Sequence, residues 1–356
     1  MDPYDLVVSA ERRQSQVDAV LDRFFAISTN RAAAVGERYV TLWQTLERNT
    51  AGGKRFRPSM VMGAYESLGG TDMEAAAHIG AAFELLHTAL IVHDDVIDRD
   101  FIRRGGVNVS GVYRDFAQTA GIPVPAAEHR GMSVAVIAGD LALFNAFRMI
   151  DKAGVDDEMR QRLHDIFDEA MFASAAGELF DVDFSQLKSM PTVDEVVDME
   201  RLKTAVYSFE APVEAGAVLA GAGQEAVEAL AGFGRNIGIA YQIVDDLLGV
   251  FGDEAATGKT TIGDLREGKR TVLIAYASGR PEWIEISRWL GLPDLTRAQA
   301  GVVRRALEEC GARQYAEDLA RAYAARASDH LASPALPDTV RAEFTPVIDS
   351  VLERVR

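Results

Sequence analysis

The stretch EAAAHIGAAFELLHTALIVHDD, residues 74–95, constrains this chain most: it carries apolar or small residues on every side of a helical projection. A helix that is apolar all round has no face to give to water, so other helices must wrap it. The remaining sequence supplies them. Prolines number only 11 in 356 residues, 48% of the chain is hydrophobic, and Ala/Leu/Glu/Arg-rich periodic stretches recur at 12–48, 132–150, 157–180, 194–220 and 225–249. We therefore expect an all-α fold, built as a single helical domain over residues 1–356. Two stretches break the pattern. Residues 105–131 lose the period and hold Pro123 and Pro125, so they read as a connection. FGDEAATGKTTIGDLREGKR, at 251–270, reads as a polar loop, and 284–356 as short helices between proline-marked turns.

Charge and cysteine content exclude several classes. A formal charge of −17 argues against a nucleic-acid surface, although a few clustered cations could still reverse the field inside one cleft. The single cysteine, Cys310, leaves neither an intrachain disulfide framework nor a cysteine cluster for zinc. The first residues, MDPYDLVVSAERRQSQVDAVLDRF, carry charge throughout, unlike a signal peptide. No run of about 18 uncharged apolar residues suggests an integral membrane segment, and the expected location is cytoplasmic.

The chemistry begins where the apolar stretch ends. HDDVIDRDFIRR (93–104) places Asp94 and Asp98 four residues apart, on one helical face with about 6 Å of rise between them. Asp95 is turned aside as a further ligand or hydrogen-bond acceptor. Like charges this close repel unless a cation sits among them, and Mg²⁺ takes hard oxygen ligands together with substrate phosphates. His93 is better read as a packing or hydrogen-bonding residue than as a ligand. A second apolar run, AYQIVDDLLG, ends the same way at Asp245 and Asp246, with Gln242 on the same face. Two such helices could face each other across a cleft and hold a diphosphate through bridging metals. An unrelated pair of solvated helix ends is the plainer alternative.

Cations decide between them. Lys54 and Arg57 lie in GGKRFRP, Arg103 and Arg104 follow the first aspartates, Lys203 and Thr204 lie in ERLKTAVYSFE, and Lys259 and Lys269 lie in TGK and EGK. So acidic a chain nonetheless keeps basic residues at its glycine-rich breaks and at the ends of its apolar helices. Guanidinium forks and ammonium charges both suit phosphate oxygens. Two carboxylate sets and two groups of cations suggest two phosphorylated substrates, one bound through metal and one not.

With these pieces the sequence resembles the trans-isoprenyl diphosphate synthases. The matching motifs are GGKRFRP (52–58), HDDVID with RRG (93–98, 103–105), GD (139–140), GELFD (177–181), KT (203–204), YQIVDD (241–246) and GKTTIGDLREGK (258–269), in order over some 220 residues. The resemblance implies one bundle of long helices around a deep central cavity, a homodimer, and Mg²⁺, three ions per site. It also implies head-to-tail condensation of isopentenyl diphosphate with an allylic diphosphate. It places Asp94, Asp98 and Asp245 as principal metal ligands, supported by Asp95 and Asp246. Arg103, Lys203, Gln242, Lys259 and Lys269 would hold the allylic diphosphate; Lys54, Arg57, His87 and Arg104 would hold isopentenyl diphosphate. Thr204 would lie near the reacting carbons. A class I terpene cyclase binds one diphosphate and would have little use for GGKRFRP and His87, and a non-catalytic subunit would not need every cation.

Two departures from the family pattern stand out. Gly249 occupies the place of a third aspartate in the second motif, so an aspartate restored there is expected to strengthen Mg²⁺ dependence. Residues 105–131 are longer than the family's usual connection. Product length is read from the helix before Asp94: Ala89 and Leu86 can line the route of the growing tail, with Phe83 and Ala82 deeper. The family commonly stops growth with a bulky aromatic at the Ala89 position. A methyl group there implies passage beyond ten and fifteen carbons, to a floor at Leu86 and Phe83, or at Phe144 and Phe147. The expected product is geranylgeranyl diphosphate, C20, with C25–C50 as the alternative.

Overall fold

The computed structural model describes residues 3–53, 55–103, 105–186, 189–252 and 261–354, the side chains of residues 3–9 excepted. It is an all-α bundle of long helices. The chain divides into two compact units, one of Met1–Asp165 with Ala215–Gly221 and one of Ile166–Glu214 with Ala222–Arg356.

In the first unit α1 (Pro3–Ala33), α2 (Glu37–Thr50) and α3 (Phe56–Ser67) lead to α4 (Met73–Ile97), the apolar helix. Asp72 caps α4 by accepting the Ala75 N–H at 3.0 Å. As its composition requires, α4 is wrapped: it packs on α1, α3 and α6 (Val124–Ile150), and Phe83, Leu85 and Leu86 are buried. Helices α4 and α6 are long and apolar enough to cross a membrane, with 78% and 39% of their most apolar stretches buried within the protein.

The segment expected to be a connection is mostly helix. A two-residue antiparallel pair, β1 (Ile102–Arg103) and β2 (Gly106–Val107), leads into α5 (Val109–Thr119). Asn108 caps α5 through the Gly111 N–H at 2.9 Å. Pro123 is the N-cap of α6 and Pro125 lies in its first turn, positions where a missing N–H costs nothing. The prolines mark a helix start, not a loop. Ala127, Gly131, Ala135, Ala138, Ala142 and Ala146 form a buried seam along α6 at helical spacing, so neighbouring backbones come close. At Gly131 a Cβ would lie 2.2 Å from the Ser110 carbonyl oxygen of α5.

α7 (Asp157–Gln186) and α9 (Ala211–Leu219) each contribute to both units. In the second unit α8 (Val193–Glu200) starts at a Thr192/Glu195 capping box and continues as a π-helical segment, Arg201–Glu210. α10 (Gln224–Phe251) is followed by α11 (Gly263–Glu267), α12 (Val272–Ser278), α13 (Trp283–Trp289), α14 (Arg297–Glu309), α15 (Ala312–Leu331) and α16 (Asp338–Glu353). α10 packs against α15, whose facing seam is Ala312, Ala316, Ala320, Ala324 and Ala327, and against the π segment. Gly234 and Gly238 make the second contact possible: a Cβ would lie 2.7 Å from the Glu210 Cα at one and 2.6 Å from the Ala205 Cβ at the other.

Candidate active site

In the first unit the end of α4 carries the expected carboxylates. Asp94 is half-buried, Asp95 is buried and Asp98, the C-cap, is exposed. The Asp98 N–H still donates to the Asp94 carbonyl at 2.9 Å, so the four-residue spacing is helical as read. Arg103, in β1, donates from Nη2 to Asp94 at 2.8 Å and from Nε to Asp95 at 2.5 Å. Burial pushes the Asp95 carboxyl up to about 6 although the Arg103 charge pulls the other way. His93 packs its ring on α6, where a Cβ at Gly139 would lie 2.2 Å from Nε2; that clearance accounts for the GD motif. His93 Nε2 is also 3.4 Å from Asp140 Oδ1.

The GGKRFRP stretch holds a further arginine, Arg55, that the sequence reading passed over. Gly52 and Gly53 both take positive φ, and Arg55 follows in the left-handed region at φ 48°. This turn swings Arg55 inward. Its Nη1 donates to Glu84 of α4 at 2.9 Å and to the Thr50 carbonyl at 2.6 Å, and its Nε donates to Asp18 of α1 at 2.8 Å. Burial alone would lower the Arg55 pKa; the charges and hydrogen bonds of Glu84 and Asp18 outweigh it and raise it. Arg55 anchors the loop, while Arg57 sits half-buried in the first turn of α3 and His87 half-buried on α4. Lys54 and Arg104 lie outside the described residues.

In the second unit the π segment carries Lys203 and Thr204. Lys203 Nζ is 2.5 Å from Asp181 and 3.0 Å from Glu178, both on α7. Gly177 explains the first letter of GELFD, since a Cβ there would fall 2.2 Å from the Lys203 amide nitrogen and 2.5 Å from its Cα. Gly177→Ala must therefore displace the backbone that aims Lys203. We expect it to cost about 1–3 kcal/mol of stability and to lower kcat roughly a hundredfold. A variant with wild-type melting temperature and turnover would show that the contact relaxes freely.

On α10, Gln242 donates to Asp246 Oδ1 at 2.8 Å, and Asp245 Oδ1 meets Arg354 Nη2 at 3.1 Å. Arg354 also lies over the Tyr241 ring, 4.8 Å from its centre. Burial, then the Asp264 charge, pushes Asp246 up to about 7. Glu200, at the end of α8, is 2% exposed and pushed well up by burial and by Asp246. Glu200 and Asp246 share a hydrogen bond, which needs a proton on one of the two carboxyls, and the Val272 N–H also donates to Glu200. Lys269 Nζ lies 3.1 Å from Glu267 and 3.7 Å from Asp264. Lys259 lies outside the described residues.

The profile of the polyprenyl synthetase family matches residues 40–302. The chain belongs to the polyprenyl synthetase family. As a polyprenyl synthetase it is a trans-prenyltransferase. It is 36% identical over 315 residues to a geranylfarnesyl diphosphate synthase of Aeropyrum pernix, covering 86% of this chain and 92% of that protein. A geranylgeranyl diphosphate synthase of Methanosarcina mazei is 30% identical over 319 residues, covering 89% of each. Among solved structures, the geranylgeranyl pyrophosphate synthase of Corynebacterium glutamicum, complexed with isoprenyl diphosphate and magnesium, superposes with a TM-score of 0.90. That match covers 97% of this chain and 99% of the other at 29% identity.

This polyprenyl synthetase offers only oxygen donors at its two aspartate sets, which suits Mg²⁺. Among the described residues no three acidic, histidine or cysteine side chains form a ready cage. Mg²⁺ needs none, because it keeps waters and draws further ligands from substrate phosphates. Burial is the main reason the Asp95 and Asp246 carboxyls are pushed up, to about 6 and about 7. A Cβ at Gly249 would lie 2.1 Å from Asp264 Oδ2, so an aspartate there requires the Asp264 side chain to turn aside. The sequence reading passed over Arg55, Glu178, Asp181, Glu200, Asp264 and Arg354. GELFD had flagged the α7 pair; nothing local flags Arg354.

Proposed function

We propose that this polyprenyl synthetase condenses isopentenyl diphosphate head-to-tail with an allylic diphosphate in the presence of Mg²⁺, releasing diphosphate, with geranylgeranyl diphosphate, C20, as the main product. The observation that carries the reading is the end of α4, where Asp94 and Asp95 share the Arg103 guanidinium. Carboxylates for a hard cation stand beside a fork for phosphate oxygens. Asp94, Asp98 and Asp245 would hold three Mg²⁺ with support from Asp95 and Asp246. Bound there, the ions would offset the charge that develops on the leaving diphosphate. Arg103, Lys203, Gln242, Lys259 and Lys269 would orient the allylic diphosphate, and Lys54, Arg57, His87 and Arg104 isopentenyl diphosphate. Positioning does most of the remaining work. The allylic C–O bond breaks, the isopentenyl double bond attacks the allylic carbon, and a proton leaves to the departing diphosphate, with Thr204 and Tyr207 nearby. Apolar walls keep water from the cation. We read residues 1–356 as one catalytic domain, in keeping with a family match that runs through both units, and the working form as a cytoplasmic homodimer.

For product length, Ala89, Leu86, Phe83 and Ala82 are all buried along α4, and we assign the tail route and its floor to them. Phe144, by contrast, is 63% exposed in a groove beside Tyr39 and Trp43, and Phe147 stacks on His164. The Aeropyrum pernix relative, whose named product has one isoprene unit more, favours the C25–C50 alternative. The test is direct: incubate pure protein with Mg²⁺, isopentenyl diphosphate and farnesyl diphosphate, then chromatograph the dephosphorylated products. A C20 alcohol supports the reading, and a cyclic hydrocarbon made from the allylic substrate alone sinks it in favour of a cyclase. Ala89→Phe is expected to shorten the product toward C15. Unchanged length at normal activity would move the tail to another face.

A further inference from the structure

The long connection of the sequence, residues 105–131, lends no side chain to the chemistry assigned above, yet much of it is the helix α5, which packs on both α2 and α6. Tyr113 of α5 is 7% exposed, and its hydroxyl has no hydrogen-bond partner among the described residues. A buried phenol normally finds a partner, because an unpaired O–H out of reach of water is costly.

Two cations flank this phenol. From α6, Arg130 stands over the Tyr113 ring, its guanidinium carbon 5.6 Å from the ring centre, and Nη1 donates to the Tyr113 carbonyl at 3.4 Å. From α2, Arg48 donates through Nη2 to the Thr45 hydroxyl at 3.0 Å. Neither arginine meets a carboxylate among the described residues, whereas Arg114, beside Tyr113 in sequence, is paired with Asp115 at 2.8 Å. In a chain of formal charge −17, two arginines around one phenol and both without an acid ask for an anion. Burial pushes the Tyr113 hydroxyl up although Arg130 and Arg48 pull the other way, so it stays a proton donor in a field of positive sign. Arg48 is exposed and Arg130 half-buried, so the charges are open to water while the hydroxyl is not.

We propose that Arg48, Tyr113 and Arg130 form an additional anion site at the junction of α2, α5 and α6, which takes a small phosphate-bearing anion as the exposed Arg48 side chain turns to admit it. The guanidinium forks hold the phosphate oxygens and the phenol O–H is the third donor. Free diphosphate and the diphosphate head of a prenyl chain share this chemistry. The site does not depend on the roles given to the aspartate sets. Because α2 runs into the GGKRFRP turn and α5 follows Arg103, an anion held here fastens together two stretches that lead into the candidate active site.

Calorimetric titration of inorganic diphosphate into the full chain, with EDTA present so that no metal–diphosphate forms, tests the site. Arg48→Gln/Arg130→Gln should weaken binding about a hundredfold and Tyr113→Phe about tenfold, in a component that Arg57→Ala leaves unchanged. A second titration with farnesyl diphosphate separates the sources. Equal losses for both ligands assign the site to the free anion, and a much larger loss for farnesyl diphosphate assigns it to a prenyl chain. Melting temperature gives a readout of opposite sign. Without anion, Tyr113→Phe should melt at or above the wild-type temperature, because an unpaired O–H is gone; with diphosphate, wild type should gain more than the variant. Diphosphate binding unchanged in Arg48→Gln/Arg130→Gln overturns the proposal. So does a Tyr113→Phe protein that melts several degrees below wild type without anion, since the hydroxyl would then be satisfied within the protein itself.

Discussion

Asp94→Ala lowers turnover by about a hundred- to a thousandfold at saturating substrates, with little change in overall fold. Its carboxylate is half-buried at the solvent end of α4, so its removal opens no cavity in the core. What it removes is a charge. With Asp94 gone, Arg103 keeps only Asp95, and the guanidinium is held on the buried carboxylate instead of bridging two. The hard-cation site loses a principal oxygen donor in the state where the leaving diphosphate carries most charge, so kcat falls along with kcat/KM. Asp98→Ala should act in the same direction, because the two side chains share a helical face. Steady-state kinetics across a Mg²⁺ series, with melting temperatures alongside, measure this. An Asp94→Ala enzyme within threefold of wild-type kcat at every Mg²⁺ concentration would falsify the assignment of this helix end to catalysis.

Arg55→Ala is expected to cost stability, about 3–5 kcal/mol. Arg55 and Glu84 are 6% and 7% exposed, and the guanidinium satisfies one Glu84 oxygen; the other has no hydrogen-bond partner among the described residues. Removing the arginine strands a buried carboxylate and leaves the Thr50 carbonyl without the donor at 2.6 Å that ends the α2 turn. Arg55→Ala/Glu84→Gln should recover part of the loss, since the stranded charge is removed with its partner. Urea unfolding of the two variants beside wild type reads the difference. Equal midpoints for Arg55→Ala and wild type would mean that the loop does not depend on this pair. The distinction from Arg57 is testable in the same series, because a half-buried residue of the first turn of α3 should move the midpoint far less.

Much of this was legible in the linear sequence because it depends on spacing. An apolar helix of 25 residues, aspartates four apart at its end, and the same pattern repeated at Asp245–Asp246 follow from helical period alone. The prolines of 123–125 misled for a local reason: the same residue that breaks a helix interior is at home in a first turn. The π segment was invisible, because its register is set by what lies against it. Gly177 of α7 and Gly238 of α10 admit its backbone from either side, and neither is near it in sequence.

The sequence by itself determined the helices, the family, and which helix ends carry carboxylates. Only the tertiary structure decided which cations serve them. Arg55 and Arg57 are indistinguishable as letters, yet a left-handed φ and a glutamate 29 positions away turn one into a core ion pair. Gly249 stands alone in the sequence, and only the fold puts the Asp264 carboxylate, fifteen residues on, beside it. Helical period acts over neighbours three and four residues apart, whereas charge acts through space; a chain shows the first along its length and the second only once folded.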